Sequence, residues 1–219
     1  METKMAYGNS KLNRDVIKYI AMLTMLLNHI SQVFMKSGYF LSELFLDIGY
    51  FTAITMCYFL VEGFQYTHSK KNYAIRLLIF ALISEIPYCM AFTTNGVLEF
   101  QGLNMLFTLL ICFMILIVND KVSNKFLKDI CILGLIVLSL FCDWALLAPI
   151  FTLLFIWSRG LRNKIKYTFI ISMLLFGLFN FAGGIGRLSL GTNIAYALGS
   201  MSGIALAGIV ILYFYNGKR

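Results

Sequence analysis

The sequence predicts an all-α, polytopic integral membrane protein, a bundle of about eight transmembrane helices with both termini on the cytoplasmic side. Three observations lead to this prediction. Apolar segments of roughly 15 to 22 residues recur along the chain, close to the length that crosses a bilayer. Lys and Arg residues cluster in every second connection between these segments. The chain is 60% hydrophobic and only 13% charged, which is too little charge to hydrate the surface of a soluble domain of this size.

The apolar segments set the predicted helices. Period-2 alternation is absent, and backbone in hydrocarbon must satisfy its own hydrogen bonds, so the spans are expected to be helices and not barrel strands. The fifth and sixth are short and separated only by Cys142 and Asp143, which predicts a tight hairpin or tilted helices. No linker is long enough to divide the chain, so residues 1–219 are expected to form a single transmembrane domain. The predicted helices are 16–35, 44–65, 73–93, 103–119, 126–142, 144–158, 165–182 and 193–215.

The basic residues predict the orientation. They precede the first helix, join the second to the third, the fourth to the fifth and the sixth to the seventh, and end the chain, whereas the alternate loops hold only Lys36 and Arg187. The positive-inside rule therefore places both termini and the basic loops in the cytoplasm. The net charge of +8 is distributed among these loops instead of lining one helix face, which argues against nucleic acid as a partner.

The cysteines indicate neither a metal site nor a disulfide framework. All of them lie within apolar runs, without CxxC or His-paired spacing, so we expect small packing residues and no bound metal. They are Cys57, Cys89, Cys112, Cys131 and Cys142.

Polar residues inside the predicted helices are the candidate functional residues, because charge in hydrocarbon is costly and is kept for structure or function. His29 lies deep in helix one beside Asn28, and Glu85 lies at a similar depth in helix three. Asp47 opens helix two and Asn104 opens helix four, both from the outer side, and Asp143 lies at the outer turn between helices five and six. We expect a cavity open toward the outer face, formed by His29, Asp47, Glu85, Asn104 and Asp143.

A structural interpretation stays open for each of these residues. His29 is suited either to an interhelical hydrogen bond or to acid–base chemistry. Asp47 and Asp143 are compatible with a simple position at the membrane interface. Glu62 ends helix two on the cytoplasmic side, where a structural role is expected.

Several stretches resemble the TraX family. The resemblance is most specific in helices one to four and covers most of the chain. The matching stretches are Met25–Ile30, Leu60–Thr67, Lys70–Tyr73, Arg76–Leu78, Ile83–Tyr88, Leu103–Leu109, Cys142–Trp144 and Tyr215–Arg219.

The resemblance implies a bacterial protein of the cytoplasmic (inner) membrane. It further implies an acyltransferase that moves an acetyl or other acyl group from cytoplasmic acyl-CoA to a pilin or an envelope glycan. By position, His29 corresponds to the candidate catalytic base, and Glu62, Arg76, Glu85 and Asn104 to motif residues of unassigned role. The family usually has Asp where this chain has Asn28. A neutral amide would orient the imidazole ring but would not stabilise its charged form as a carboxylate does.

Two classes of function follow from the sequence. In the first, His29 deprotonates an acceptor amine or hydroxyl that attacks the acyl-CoA thioester. Lys70, Lys71 and Arg76 then attract the coenzyme A phosphates, although the same residues are typical of a topology signal or an anionic-lipid contact. In the second, the chain is a non-catalytic membrane component of pilus or conjugation assembly, or a small transporter that uses the intramembrane acids.

Overall fold

The computed structural model describes residues 12–93, 100–159 and 161–218. Within them the chain is helical and contains no β-strand, only two isolated parallel bridges. A short 3₁₀ turn, Ser139–Phe141, follows the fifth helix, and a π-helical segment, Val210–Phe214, follows the eighth. The α-helices are α1 (Arg14–Phe34), α2 (Phe40–Tyr66), α3 (Lys70–Phe92), α4 (Met105–Lys121), α5 (Lys125–Leu138), α6 (Leu147–Ser158), α7 (Arg162–Gly184) and α8 (Leu190–Ile209).

Polar side chains cap five of the helices. Each accepts a hydrogen bond from a main-chain N–H in the first turn that has no partner within the helix. These residues are Asn13, Ser69, Asn104, Asn124 and Ser189. The helices lie close to the predicted ranges, with two informative differences. Helix α2 begins four residues early, so Asp47 lies in its second turn instead of opening it, and α5 ends at Leu138 instead of residue 142.

Among the described residues, five helices are long and apolar enough to cross a bilayer: α1, α2, α3, α7, and α8 together with its π segment. Helix α6 is apolar but only 12 residues long. The chain is thus an all-helical, multi-pass membrane protein. Eight spans and a cytoplasmic position of both termini remain predictions.

The chain separates into two compact units. Unit 1 comprises Met1–Met56 and Trp157–Arg219, and unit 2 comprises Cys57–Ile156. Helices α2 and α6 each contribute residues to both units. The prediction of a single domain is not tested by this division.

Hydrogen bonds between α1 and α2 organise one side of unit 1. The Thr24 and Thr52 hydroxyls lie 2.9 Å apart, and the Thr52 hydroxyl also donates to the main-chain oxygen of Ala21 at 2.6 Å. One helical turn before the end of α1, the Ser31 hydroxyl donates to the main-chain oxygen of Ser42 at 2.8 Å. Because every polar group in hydrocarbon needs a partner, these pairs hold the two helices in register.

Glycines allow α8 to approach α2 closely within unit 1. A Cβ added at Gly199 would lie 2.5 Å from Oδ2 of Asp47, and one at Gly203 would meet the main chain at Asp47 and Phe51. The small-residue ridge that the sequence predicts on this helix therefore serves close helix packing.

Unit 2 has an apolar core and an aromatic cluster. Ile111 and Ile115 of α4 pack with Cys142 in the core. Elsewhere on α4, the ring of Phe113 stacks against Tyr73 with 4.8 Å between ring centroids and meets Phe64 edge-on at 5.4 Å. Helix α3 buries only two side chains, Ala81 and Cys89. Most of its other large apolar side chains are exposed, as expected of a helix in contact with lipid acyl chains. Among them are Phe80, Ile83, Ile86 and Met90.

Candidate functional site

Glu85 and Asn104 form the centre of a polar cluster in unit 2. The main-chain N–H of Asn104 donates to Oε2 of Glu85 at 3.0 Å, and the side-chain amide of Asn104 donates to the same oxygen at 2.7 Å. From the residues that the structure describes, the second carboxylate oxygen, Oε1, accepts only a long contact of 3.7 Å from the Cys89 thiol. A carboxylate deep in an apolar helix is therefore held through one oxygen, and the other oxygen stays accessible to a further donor.

Asn104 connects α3 to α4 through its side-chain amide. Its amide nitrogen also reaches the main-chain oxygen of Ala81 at 2.9 Å and the Ser84 hydroxyl at 3.2 Å. Its amide oxygen accepts the N–H of Leu106 at 2.9 Å, which caps the start of α4. The predicted position of Asn104 at the start of helix four is confirmed, and the capping geometry explains how it holds Glu85.

Asp143 lies beside this cluster, in the turn between α5 and α6. The residue before Asn104, Leu103, exchanges main-chain hydrogen bonds with the turn: its N–H donates to Phe141 at 2.9 Å, and its oxygen accepts from Asp143 at 2.7 Å. The Thr108 hydroxyl of α4 donates to the main-chain oxygen of Asp143. Glu85, Asn104 and Asp143 are thus brought together by the structure within one unit.

The Asp143 turn has an unusual backbone. Trp144 and Leu146 have φ values of 57° and 62°, in the left-handed region that bulky residues rarely adopt. The Ser139 hydroxyl accepts the N–H of Leu146 at 3.2 Å, and Oδ1 of Asp143 accepts the N–H of Trp144 at 2.9 Å. Strain of this kind persists only where the surroundings enforce it, and it is concentrated at functional positions.

Burial raises the pKa of the Asp143 carboxyl above its ordinary value, and the hydrogen bond from the Trp144 N–H partly opposes the shift. The hydroxyl of Tyr88 lies within electrostatic range of both Asp143 and Glu85. The sequence analysis did not select Tyr88. Tyr88 could have been selected from the sequence because it follows Glu85 by three residues and so lies on the same face of α3.

His29 and Asn28 lie on α1, in unit 1. Asn28 is buried and donates to the main-chain oxygen of Leu46 on α2 at 3.0 Å, while its amide oxygen accepts from Gln32. A Cβ at Gly49 would overlap the Asn28 side chain, so a glycine is needed opposite this amide. Asn28 fastens α1 to α2, and His29 follows it at a half-buried position.

Asp47 lies in unit 1 with a second acid that the sequence analysis did not select. Glu43 precedes it by one turn of α2, and Oε1 of Glu43 accepts from the Tyr196 hydroxyl at 3.3 Å and from the Gly38 N–H at 2.8 Å. The two acids lie four residues apart in the sequence. The predicted second helix began at residue 44, so Glu43 was left outside it. The convergence of His29 and Asp47 with the unit 2 residues stays a prediction.

The predicted phosphate-binding residues have different surroundings. Lys70 forms an ion pair with Asp120 at 2.5 Å, and its ammonium also lies 4.1 Å from the centre of the Phe64 ring. The Arg76 guanidinium lies 5.9 Å from the ring centre of Tyr73, and Arg76 is exposed. Lys71 is exposed and Glu62 half-buried. Lys71 and Arg76 are therefore the more accessible of the three cations.

The described residues contain no group of three or more His, Cys, Asp or Glu side chains placed to hold a metal ion. The cysteines of the chain are all free thiols, and four of the five are buried.

Comparison with known proteins places the chain in a family. The family model described as TraX protein matches residues 13–217. The chain is also similar to the "Probable fimbrial assembly protein FimC, serogroup H1" of Dichelobacter nodosus, with 33% identity over 143 residues, or 63% of this chain and 59% of the relative. The chain thus spans less than two thirds of that relative's length. No solved structure matches it significantly. Because the family model covers nearly all of the sequence, the chain belongs to the TraX family.

Proposed function

We propose that this chain is a bacterial inner-membrane acyltransferase that acts in pilus or conjugation assembly. The observation that carries the proposal is the Glu85–Asn104–Asp143 cluster, where an acid deep in an apolar helix is held through one oxygen beside a strained turn. A protein that only packs against partners does not need such a cluster, because polar groups in hydrocarbon are costly. The similarity to a fimbrial assembly protein supports the cellular context.

In the proposed reaction, His29 takes a proton from the acceptor amine or hydroxyl. The acceptor then attacks the thioester carbonyl of acetyl-CoA or another acyl-CoA, a new amide or ester bond forms, and the C–S bond breaks. Coenzyme A leaves as the thiol once it regains a proton. Lys71 and Arg76 attract the coenzyme A phosphates. A pilin or an envelope glycan is the proposed acceptor.

Glu85 is the proposed hydrogen-bond partner of the acceptor. Its Oε2 is held by Asn104, and its Oε1 is available to receive a hydrogen bond. Asp143 and Tyr88 complete the polar surroundings. Asn28 orients α1 against α2, so its effect on His29 is exerted through the backbone.

The test is transfer from radiolabelled acetyl-CoA by purified full-length protein in nanodiscs, with inner-membrane extract as the acceptor source. His29→Ala should fold, bind acetyl-CoA with an affinity close to that of the parent, and lose transfer by roughly a hundredfold or more. Glu85→Gln should lose less. His68→Ala is a matched control, because His68 is the other histidine and lies exposed between α2 and α3. Full transfer by His29→Ala would exclude His29 as the base.

A second candidate is a non-catalytic membrane component of pilus assembly. One observation favours it: Thr24, Asn28 and Ser31, on the polar face of α1, form hydrogen bonds with α2. For this candidate, the parent protein would transfer no acyl group, and His29→Ala would lose folded yield instead of activity. Uptake of a labelled solute by protein-containing vesicles would indicate the transporter alternative.

A further inference from the structure

The last third of the chain, after Asp143, contains basic residues without any acidic ones. The last Asp or Glu in the sequence is Asp143. The cations of α7 therefore have no acid within residues 144–219 with which to pair. The basic residues after Asp143 are Arg159, Arg162, Lys164, Lys166, Arg187, Lys218 and Arg219.

Two of these cations contact aromatic rings and a carbonyl at the end of unit 1 where α7 begins. The Arg162 guanidinium lies 5.9 Å from the ring centre of Tyr213 and donates to the main-chain oxygen of Leu212 at 3.1 Å. The Lys164 ammonium lies 5.5 Å from the ring centre of Trp157. Neither a carbonyl nor a ring carries a charge that would neutralise the Arg162 guanidinium. A guanidinium with one donor on Leu212 has other donors left for a phosphate.

Exposed aromatic side chains surround these cations. Tyr213 and Trp157 are 61% and 53% exposed, and Tyr167 and Phe214 are also exposed. Lys166, one helical turn after Arg162, is exposed as well. Trp and Tyr rings beside Lys and Arg are typical of protein segments that lie at the depth of the lipid headgroups. The first turn of α7 lies at that level, because the apolar body of a candidate span follows it.

One described acid belongs to the same unit and the same end. Asp15, in the first turn of α1, is exposed, and within residues 12–93, 100–159 and 161–218 it makes no ion pair. It therefore does not neutralise Arg162.

We propose that Arg162 and Lys166, with the rings of Tyr213 and Trp157 and with Lys164, form a binding surface for the headgroup of an anionic phospholipid. A phosphodiester would accept hydrogen bonds from the Arg162 fork and an ion pair from Lys166. Acyl chains would lie against the exposed apolar face of α7. The occupant is a membrane lipid and not a soluble phosphate, since the aromatic rings provide the apolar boundary that a free ion does not use.

The test uses the full chain in a neutral detergent, titrated with phosphatidylglycerol in mixed micelles and followed by the thermal unfolding midpoint. Phosphatidylcholine is the neutral lipid, and inorganic phosphate is the free anion. Phosphatidylglycerol should raise the midpoint more than phosphatidylcholine does, and phosphate should have little effect. Arg162→Gln with Lys166→Gln should weaken the apparent affinity for phosphatidylglycerol about twenty-five-fold, or about fivefold for each cation.

The matched control is Lys121→Gln with Lys125→Gln, which removes the same charge from exposed positions of unit 2. It should change the affinity less than twofold. An equal loss of affinity for phosphatidylglycerol in the two double variants would mean a nonspecific charge effect and would overturn the proposal. A rise in the unfolding midpoint with inorganic phosphate equal to that with phosphatidylglycerol would overturn it too. If the double variant does not fold, Lys166→Gln alone should still lose about fivefold, because this side chain is exposed. Unchanged affinity of that variant would also overturn the proposal.

Discussion

Asn104 donates two hydrogen bonds to one oxygen of Glu85, from its main-chain N–H at 3.0 Å and from its side-chain amide at 2.7 Å. Glu85 lies on α3 and Asn104 caps α4, so the pair joins the two helices at a half-buried acid inside an apolar helix. Hydrogen bonds to a charged group are the stronger kind in proteins. The pair is therefore expected to contribute both to stability and to the position of the free Glu85 oxygen.

Removal of the Asn104 amide should destabilise the protein. Asn104→Leu leaves the Glu85 carboxylate with one N–H donor and should reduce the free energy of unfolding by about 2–3 kcal/mol. Glu85→Leu in the same background should restore part of this loss, because no carboxylate short of hydrogen-bond donors then remains. The measurement is a double-mutant cycle on thermal or denaturant unfolding in detergent. Additive effects would mean that the two side chains act independently.

Gly49→Ala should weaken the contact between α1 and α2. The added methyl group would overlap the Asn28 side chain, and the helices would have to separate, at a cost of about 1–3 kcal/mol. Gly63→Ala is the control in the same helix, since a Cβ there meets nothing within 4 Å. The control should be neutral or slightly stabilising, because alanine favours helix. Equal behaviour of the two variants in unfolding measurements would contradict the contact.

Lys70 should contribute less than Lys71 to the binding of acetyl-CoA, because Asp120 already neutralises it. Lys71→Gln should then weaken binding more than Lys70→Gln. Asp120→Asn, which frees Lys70, should strengthen binding, and Asp129→Asn, which removes an exposed acid from the second turn of α5, is its control. Binding isotherms at low and high salt would measure this, since the attraction is screened by ions. An Asp120→Asn variant with weakened binding would contradict the assignment.

Asp143 should make stability depend on pH. Burial raises the pKa of this carboxyl in the folded state, so its contribution to stability is fully present below the ordinary aspartate pKa. That contribution is lost as the pH rises through the raised folded value. The unfolding midpoint of the parent minus that of Asp143→Asn should therefore decrease from about pH 4 to about pH 7. Asparagine can still accept the Trp144 N–H, so the turn should persist. A difference that is constant with pH would mean an unperturbed carboxyl.

The predicted topology places Ser37 and Ser123 on opposite sides of the membrane. Both are exposed, and they lie in the α1–α2 and α4–α5 connections. In intact cells, Ser37→Cys should react with a membrane-impermeant maleimide, and Ser123→Cys should react only after permeabilisation. The native cysteines are buried or half-buried, which limits background labelling. Reaction of both sites under the same condition would contradict an N-in, C-in bundle of eight spans.

The sequence predicts the helices well because apolar length and polar caps are local properties. Asn104 illustrates this, since an asparagine before an apolar run both predicts and forms the start of a helix. The end of α5 shows the limit. Ser139 begins a 3₁₀ turn, and its hydroxyl accepts the N–H of Leu146. This contact spans seven residues, and the periodicity of the sequence does not predict it.

The candidate site was predictable as a set of residues and not as an arrangement. Depth along the helices placed Glu85, Asn104 and Asp143 in one predicted group with His29 and Asp47, because membrane depth can be estimated from residue number. It could not reveal that the Asn28 amide is used between helices, since this depends on the absence of a side chain at Gly49. Nor could it reveal that Lys70 is paired, because Asp120 lies fifty residues away.

The hydrogen bonds between α1 and α2 have a consequence for how the protein enters the membrane. Every partner in them, from Ala21 to Thr52, has been synthesised before α3 begins at Lys70. The first two helices can therefore leave the insertion machinery as a preformed hairpin whose polar groups are already satisfied. Later helices then pack against this hairpin. A substitution at Ser31 or Thr52 should therefore impair the first step of membrane insertion, the formation of the hairpin.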